Sequence, residues 1–148
     1  MGSANITNVQ VACTTITIAV SAAQLDFGAV DFSDNPTRTL TVTNPGTVDL
    51  QLQSATIPAG PFSIVGGTCP PYPRTLAAGA SCTIVIAFRP EGFNVAQATL
   101  TIGSNAQGAP TLVALRGSAL ARPVPTLSPI ALAVLALLMI AVARSRQP

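Results

Sequence analysis

Hydrophobic and polar residues alternate with a period of two along most of this chain. The alternation is clearest in six segments: TITIAV (15–20), RTLTVTN (38–44), LQLQSATI (50–57), CTIVIAF (82–88), QATLTIGS (97–104) and TLVALRG (111–117). Because successive side chains of a strand point to opposite faces, the pattern predicts half-buried β-strands. No stretch before Pro129 has the 3.6-residue period of an amphipathic helix.

Each predicted strand has one set of alternate residues that should face a hydrophobic core. These residues are Ile16, Ile18 and Val20; Leu40 and Val42; Leu50 and Leu52; Cys82, Ile84, Ile86 and Phe88; Ala98, Leu100 and Ile102; and Leu112 with Ala114. Four phenylalanines that lie in or beside strands are also predicted to be core or near-core residues: Phe27, Phe62, Phe88 and Phe93.

Turn-forming residues separate the predicted strands, as in Asp34-Asn35-Pro36, Asn44-Pro45-Gly46 and Pro90-Glu91-Gly92. Short strands joined by short loops predict an antiparallel β-sandwich over residues 15–119. Residues 1–14 precede this domain and include Val9, Val11 and Cys13 in alternation. They are interpreted as an N-terminal extension, either an extra edge strand or the remnant of a preceding domain.

The C-terminal segment differs in composition from the rest of the chain. Residues 120–128 contain prolines that favour an extended linker, and residues 129–143 carry no charge. The apolar run would be only about 22 Å long as a helix, which suits either a short transmembrane helix or a buried core helix. Because it is apolar on every face and is followed by a basic tail, residues 144–148, we predict a transmembrane helix. The positive-inside rule then places the sandwich outside the cytoplasm.

The charge distribution argues against nucleic acid as a partner. The net charge is +2, and the five arginines before the apolar run 129–143 are scattered along the chain, at Arg38, Arg74, Arg89, Arg116 and Arg122. They form no basic run and are not interleaved with aromatic residues, unlike the sites of single-strand binders.

Catalytic and metal-binding residues are scarce. The chain has no histidine, the commonest general base and a common metal ligand. Asp26, Asp31 and Asp34 lie close together in sequence, but their spacing fits no calcium loop, and they are interpreted as turn and strand-edge residues. We therefore predict no enzyme activity, no metal and no cofactor.

The three cysteines are Cys13, Cys69 and Cys82. The spacing of Cys69 and Cys82 allows either a disulfide, which would stabilise the fold by about 3 kcal/mol, or two unrelated buried thiols. Cys13 lacks the flanking residues of a lipoprotein signal and is interpreted as a lone structural thiol. Residues 1–10 contain no secretory signal, so we expect the true start to lie upstream or the mature chain to begin here.

Tyr72 is the only tyrosine and lies between the cysteines in CPPYPR. It is a candidate contact for a sugar or protein partner. The alternative is a ring that packs over the neighbouring prolines and covers the end of the sandwich.

Five blocks of the chain, in order, resemble the choice-of-anchor D domain, a bacterial relative of the immunoglobulin-like ASPM, SPD-2, Hydin group. The blocks are LDFGAV (25–30), RTLTVTNPGTVDLQLQSATI (38–57), PFSIVGGTC (61–69), TLAAGASCTIVIAFRPEG (75–92) and QATLTIGSNAQGAPTLVALRGSA (97–119). The resemblance implies an exported immunoglobulin-like sandwich of about seven strands. It also implies a disulfide between Cys69 and Cys82.

The tail, VPTLSPIALAVLALLMIAVARSR, resembles the IPTL-CTERM protein-sorting signal. Pro125, Thr126, Leu127 and Ser128 match its motif, and Val124 replaces its isoleucine. The resemblance implies a sorting protease or transpeptidase as a partner and a helix that holds the chain in the membrane before cleavage.

These features predict a non-enzymatic module, structural or adhesive, that is exported and sorted to the cell envelope. The alternative is a carbohydrate- or peptide-binding module that its C-terminal helix anchors permanently.

Overall fold

A computed structural model describes residues 14–120 of the chain. All regular structure in this range is β-strand, in nine segments that form two sheets. Within the same range no helix is long and apolar enough to cross a membrane. The predicted N-terminal extension up to residue 13, and the linker, apolar helix and basic tail from residue 121 onward, lie outside the described residues.

The first sheet has four strands in the order β1-β3-β7-β5, and each neighbouring pair is antiparallel. Its strands are β1 (Ala19–Val20), β3 (Thr37–Thr43), β7 (Ser81–Phe88) and β5 (Phe62–Gly67). The prediction of a strand over 15–20 was too long. The backbone carbonyl of Ile16 instead accepts a hydrogen bond from the N–H of Gln107 in a loop.

The second sheet has five strands in the order β2-β9-β8-β4-β6. Its strands are β2 (Gln24–Val30), β9 (Thr111–Ala119), β8 (Val95–Ser104), β4 (Leu50–Thr56) and β6 (Arg74–Leu76). Strand β2 runs parallel to β9, so the prediction of a wholly antiparallel sandwich was wrong. The nine segments exceed the predicted seven because β1 and β6 are two- and three-residue edge strands.

The core lies between the two sheets and confirms the predicted inward faces of β3, β4 and β7. Leu40, Val42, Leu50, Leu52, Ile84, Ile86 and Phe88 are all fully buried. In β8, Leu100 and Ile102 are also fully buried, whereas Ala98 is only partly buried. The hydrophobic side chains removed from water in these strands are the main source of the stability of the sandwich.

The inward face of β9 is the opposite of the predicted one. Val113 and Leu115 are buried, while Leu112 is 58% exposed and Ala114 is also exposed. Gly117 lies on the inward face, where a Cβ atom would stand 2.6 Å from Cε1 of Phe88. A glycine is required here because the Phe88 ring occupies the space of a side chain.

Asn44 is the buried polar residue of the core. Its side-chain amide donates to the carbonyl oxygens of Val48, at 2.8 Å, and Leu76, at 2.9 Å, and its Oδ1 accepts from the N–H of Gly46 at 3.0 Å. The side chain therefore joins the turn after β3 to β6, with its buried polar atoms satisfied.

Candidate functional site

The disulfide joins Cys69, in the loop after β5, to Cys82 in β7. The two Cα atoms are 5.0 Å apart, and both residues are buried in the core. The pairing that the resemblance implied is confirmed. Neither sulfur is placed to act on a substrate at the surface.

The local backbone brings the two cysteines together. The N–H groups of Thr68 and Cys69 both donate to the carbonyl oxygen of Thr83 at 2.9 Å. Gly67, with a φ of 121°, allows the end of β5 to approach the backbone of Thr83, where a Cβ would collide with it. The chain is thus held beside β7 immediately before Cys69.

Tyr72 lies in the loop that the disulfide closes. Its ring is partly buried and packs against the core, and its hydroxyl oxygen is buried without a hydrogen-bond partner among residues 14–120. Burial raises the pKa of this phenol above its ordinary value of 10.0. The position is that of a ring covering the sandwich, while a contact with a sugar or protein partner stays a prediction.

The clustered aspartates are engaged in local turns. Asp26 Oδ1 accepts from the N–H of Gly28 at 2.8 Å, and Asp31 Oδ1 accepts from the N–H and hydroxyl of Ser33. Among residues 14–120, no group of three or more histidine, cysteine, aspartate or glutamate side chains is arranged to hold a metal ion. Asp31 thus orders the loop between β2 and β3, whereas Asp26 bonds the backbone at the irregularity within β2.

An exposed aromatic pair was missed by the sequence analysis. Phe93 was predicted to be near the core, but it is 67% exposed and contacts Phe32 edge to face, with ring centroids 5.0 Å apart. Both residues lie in loops, outside the strand alternation that identifies core positions. That position between strands was the signal that could have marked them as surface residues.

Shallow concavities lie on the outer surfaces of both sheets. One, of about 570 Å³, is lined in part by Asn35, Ser63, Arg89 and Glu91 beside β5, and the Arg89 side chain donates to Asn35 Oδ1 at 3.1 Å. The second, of about 380 Å³, is lined in part by Gln97 and Arg116. The side chains that line them carry hydroxyl, amide, guanidinium and carboxylate groups that could contact a partner.

The predicted sorting motif, Val124 to Ser128, lies outside the described residues. Leu120 is the last residue before it that the structure describes, and its N–H donates to the carbonyl oxygen of Val30 at 2.8 Å. The chain therefore leaves the sandwich beside the end of β2.

Solved structures show the same fold in distant proteins. A protein of unknown function from Porphyromonas gingivalis matches with a TM-score of 0.61 and 22% identity, over 74% of this chain and 50% of that one. The ASH/PapD-like domain 7 of human CEP192 matches with a TM-score of 0.58 and 13% identity, over 83% of this chain and 99% of that one.

The secreted serine protease VesC from Vibrio cholerae matches with a TM-score of 0.54 and 24% identity, over 75% of this chain and 24% of VesC. The chain thus spans half or less of the Porphyromonas gingivalis protein and of VesC. At these identities the likeness shows the fold alone.

No curated protein matches the sequence. A family model, the HYDIN/CFA65/VesB-like, Ig-like domain, matches residues 16–118, which include both sheets almost completely. The predicted relationship to the Hydin group of immunoglobulin-like domains is therefore confirmed. The chain belongs to the HYDIN/CFA65/VesB-like family of Ig-like domains.

Proposed function

We propose that this protein is an exported, non-enzymatic module with a structural or adhesive role, delivered to the cell envelope by its C-terminal sorting signal. The observation that carries the proposal is the buried disulfide between Cys69 and Cys82. A disulfide of this kind persists in oxidising compartments and is rare in the cytosol. The disulfide therefore supports export of the sandwich from the cytoplasm.

The non-enzymatic role is supported by the distribution of reactive groups. The chain has no histidine, and the carboxylates of Asp26 and Asp31 are engaged in turns. Tyr72 directs its hydroxyl into the protein rather than into a cleft. A sandwich with these properties provides surface and rigidity rather than chemistry.

Sorting is supported by the resemblance of residues 124–146 to the IPTL-CTERM signal, with its short motif, apolar run and basic end. A membrane protease or transpeptidase would cut near Thr126 and release the sandwich from its helix. The choice-of-anchor D relationship, which also predicts export, belongs to the same proposal.

The test is the intact mass of the protein extracted from its native envelope, compared with the same chain expressed without processing. A loss of mass that corresponds to a cut near Thr126 is expected. A mass that includes Arg146 would exclude cleavage and leave a permanently anchored module. Free thiols at both Cys69 and Cys82 in the extracted protein would remove the basis for export.

A further inference from the structure

Four exposed hydrophobic residues gather at one end of the sandwich. Phe32 is 43% exposed, Phe93 67%, Val95 51% and Leu120 49%. We call these four residues the exit patch, because Leu120 is the residue at which the chain leaves the domain.

Strand register places the four residues at the same end. Val95 pairs with Ser118 in antiparallel register, so the loop that contains Phe93, just before β8, lies at the end of the sandwich where Leu120 follows β9. Val30 pairs with Ala119 in parallel register, which brings the following loop and Phe32 to this end as well. The edge-to-face contact of Phe32 with Phe93 makes the aromatic part of the patch continuous.

The length of the linker limits how far the exit patch can lie from the predicted transmembrane run. Eight residues, 121–128, separate Leu120 from the predicted transmembrane run, and eight residues span at most about 28 Å. If residues 129–143 lie in a bilayer, the exit patch is therefore confined to the neighbourhood of that bilayer.

We infer that the exit patch docks on the surface of the bilayer that holds the tail and inserts its aromatic rings among the headgroups of neutral, zwitterionic lipid. This inference rests on the membrane-bound form in the proposed function. Phenylalanine and leucine side chains are of the kind that interfacial segments bury at the boundary between headgroups and acyl chains. Docking would fix the orientation of the sandwich while its tail awaits the sorting enzyme.

The charges around the patch provide no attraction to anionic lipid. Asp31 adjoins Phe32, and Glu91 lies two residues before Phe93. Arg116 lines a concavity next to Val95, and Arg122 follows Leu120 by two residues. Acidic and basic residues therefore both lie near the patch, without the run of basic residues that draws a protein segment to an anionic headgroup layer.

Other occupants fit the patch less well. The apolar run 129–143 would be about 22 Å long as a helix, so all of it is needed to cross the bilayer. Four partly exposed side chains supply only a fraction of the about 800 Å² per partner that a stable dimer buries. Docking on a lipid surface requires neither a longer apolar run nor a larger patch.

The inference can be tested with the full chain reconstituted into phosphatidylcholine vesicles that carry brominated acyl chains. The protein has no tryptophan, so a single introduced tryptophan reports its own position. The Phe93→Trp chain should lose most of its emission to bromine. Leu112→Trp is the matched control, since Leu112 is exposed on the same final strand, eight residues and about 26 Å from Leu120, and should lose little.

A second set of chains tests the patch itself. With Val95→Trp as the probe, adding Phe32→Ser and Phe93→Ser should reduce quenching by bromine, whereas replacing phosphatidylcholine with an anionic lipid should not increase it. Quenching that the two serine substitutions leave unchanged, or that rises in anionic lipid, would overturn the assignment of the patch to neutral lipid.

The outcomes separate the docking from the anchor. A chain that fails to float with the vesicles overturns both the anchor and the docking. A chain that floats but shows equal quenching of Phe93→Trp and Leu112→Trp overturns the docking alone. Emission shifted to the blue without bromine quenching would mean that the tail, or at high protein concentration a second copy, covers the patch, and would also overturn it.

Discussion

Two clusters of phenylalanine lie near the same end of the sandwich and differ in almost every other respect. Phe27, Phe62 and Phe88 are buried between the sheets, with centroids 4.8 to 5.6 Å apart. Phe32 and Phe93 meet at a similar distance but remain exposed. The distances between rings are comparable, so we expect the two clusters to contribute differently to the stability of the fold because only the first is buried. The exposed pair remains available to a partner.

Truncation of one ring in each cluster should give the largest contrast. Phe88→Ala removes a fully buried ring that contacts two others and should lower the free energy of unfolding by about 3–5 kcal/mol. Phe93→Ala should change it by about 0.5 kcal/mol or less. Urea unfolding of the purified chains measures both values. Similar losses for the two variants would mean that the exposed pair belongs to the core.

Adding a methyl group should distinguish the clusters by the space around them. In Gly117→Ala the new Cβ would meet the Phe88 ring, which has little room to move, so we expect a loss of about 1–3 kcal/mol. Gly92→Ala, next to Phe93, adds a methyl group to open space and should be neutral or slightly stabilising. A tolerated Gly117→Ala would show that the buried cluster can rearrange. Thermal unfolding of both chains provides the comparison.

Tyr72 has an environment between those of the two clusters, because its ring packs on the core and its hydroxyl is buried without a partner in residues 14–120. Tyr72→Phe should therefore leave the free energy of unfolding unchanged or raise it by up to about 1 kcal/mol. Chemical denaturation of the two chains tests this. A clear loss of stability would reveal a hydrogen bond to the phenol.

The smallest expected effect is the change in folding stability with pH that the ionisation of Tyr72 causes. Burial raises the pKa of Tyr72 above 10.0 in the folded chain, so the folded state holds the phenol proton more tightly than the unfolded state. This contribution to stability is complete below pH 10.0 and is lost as the pH rises through the folded pKa.

Phenolate absorbance isolates that titration, because the chain has one tyrosine and no tryptophan. The folded protein should titrate at higher pH than the urea-unfolded protein. Identical titration curves would contradict the burial of the hydroxyl, and Tyr72→Phe serves as the blank.

The sequence predicted the buried cluster better than the exposed one for a physical reason. Alternation identifies the inward face when only one face is apolar, as with Ile84 and Ile86 in β7. In β9 both faces carry apolar residues, Leu112 on one and Val113 on the other, so the local pattern could not decide between them. The choice depends on the Phe88 ring against Gly117, a contact between distant parts of the chain.

Long-range pairing also limited the prediction of the sheets and of the surface. The parallel pairing of β2 with β9 joins segments about ninety residues apart and leaves no local signature. The exit patch forms only after that pairing brings the loop containing Phe32 to the end of β9. The disulfide between Cys69 and Cys82 could be predicted, because the resemblance of whole sequence blocks to a known domain implied a pairing that the spacing alone left open.

The parallel neighbours β2 and β9 have a mechanical consequence. Ile16 lies beside Gln107 at one end of the sandwich, and Leu120 leaves beside Val30 at the other. Tension applied between the two ends of the domain would therefore run along the strands and pull β2 and β9 in opposite directions. The hydrogen bonds between them would carry the load together in shear rather than open one after another, which suits a domain that must hold its shape under force.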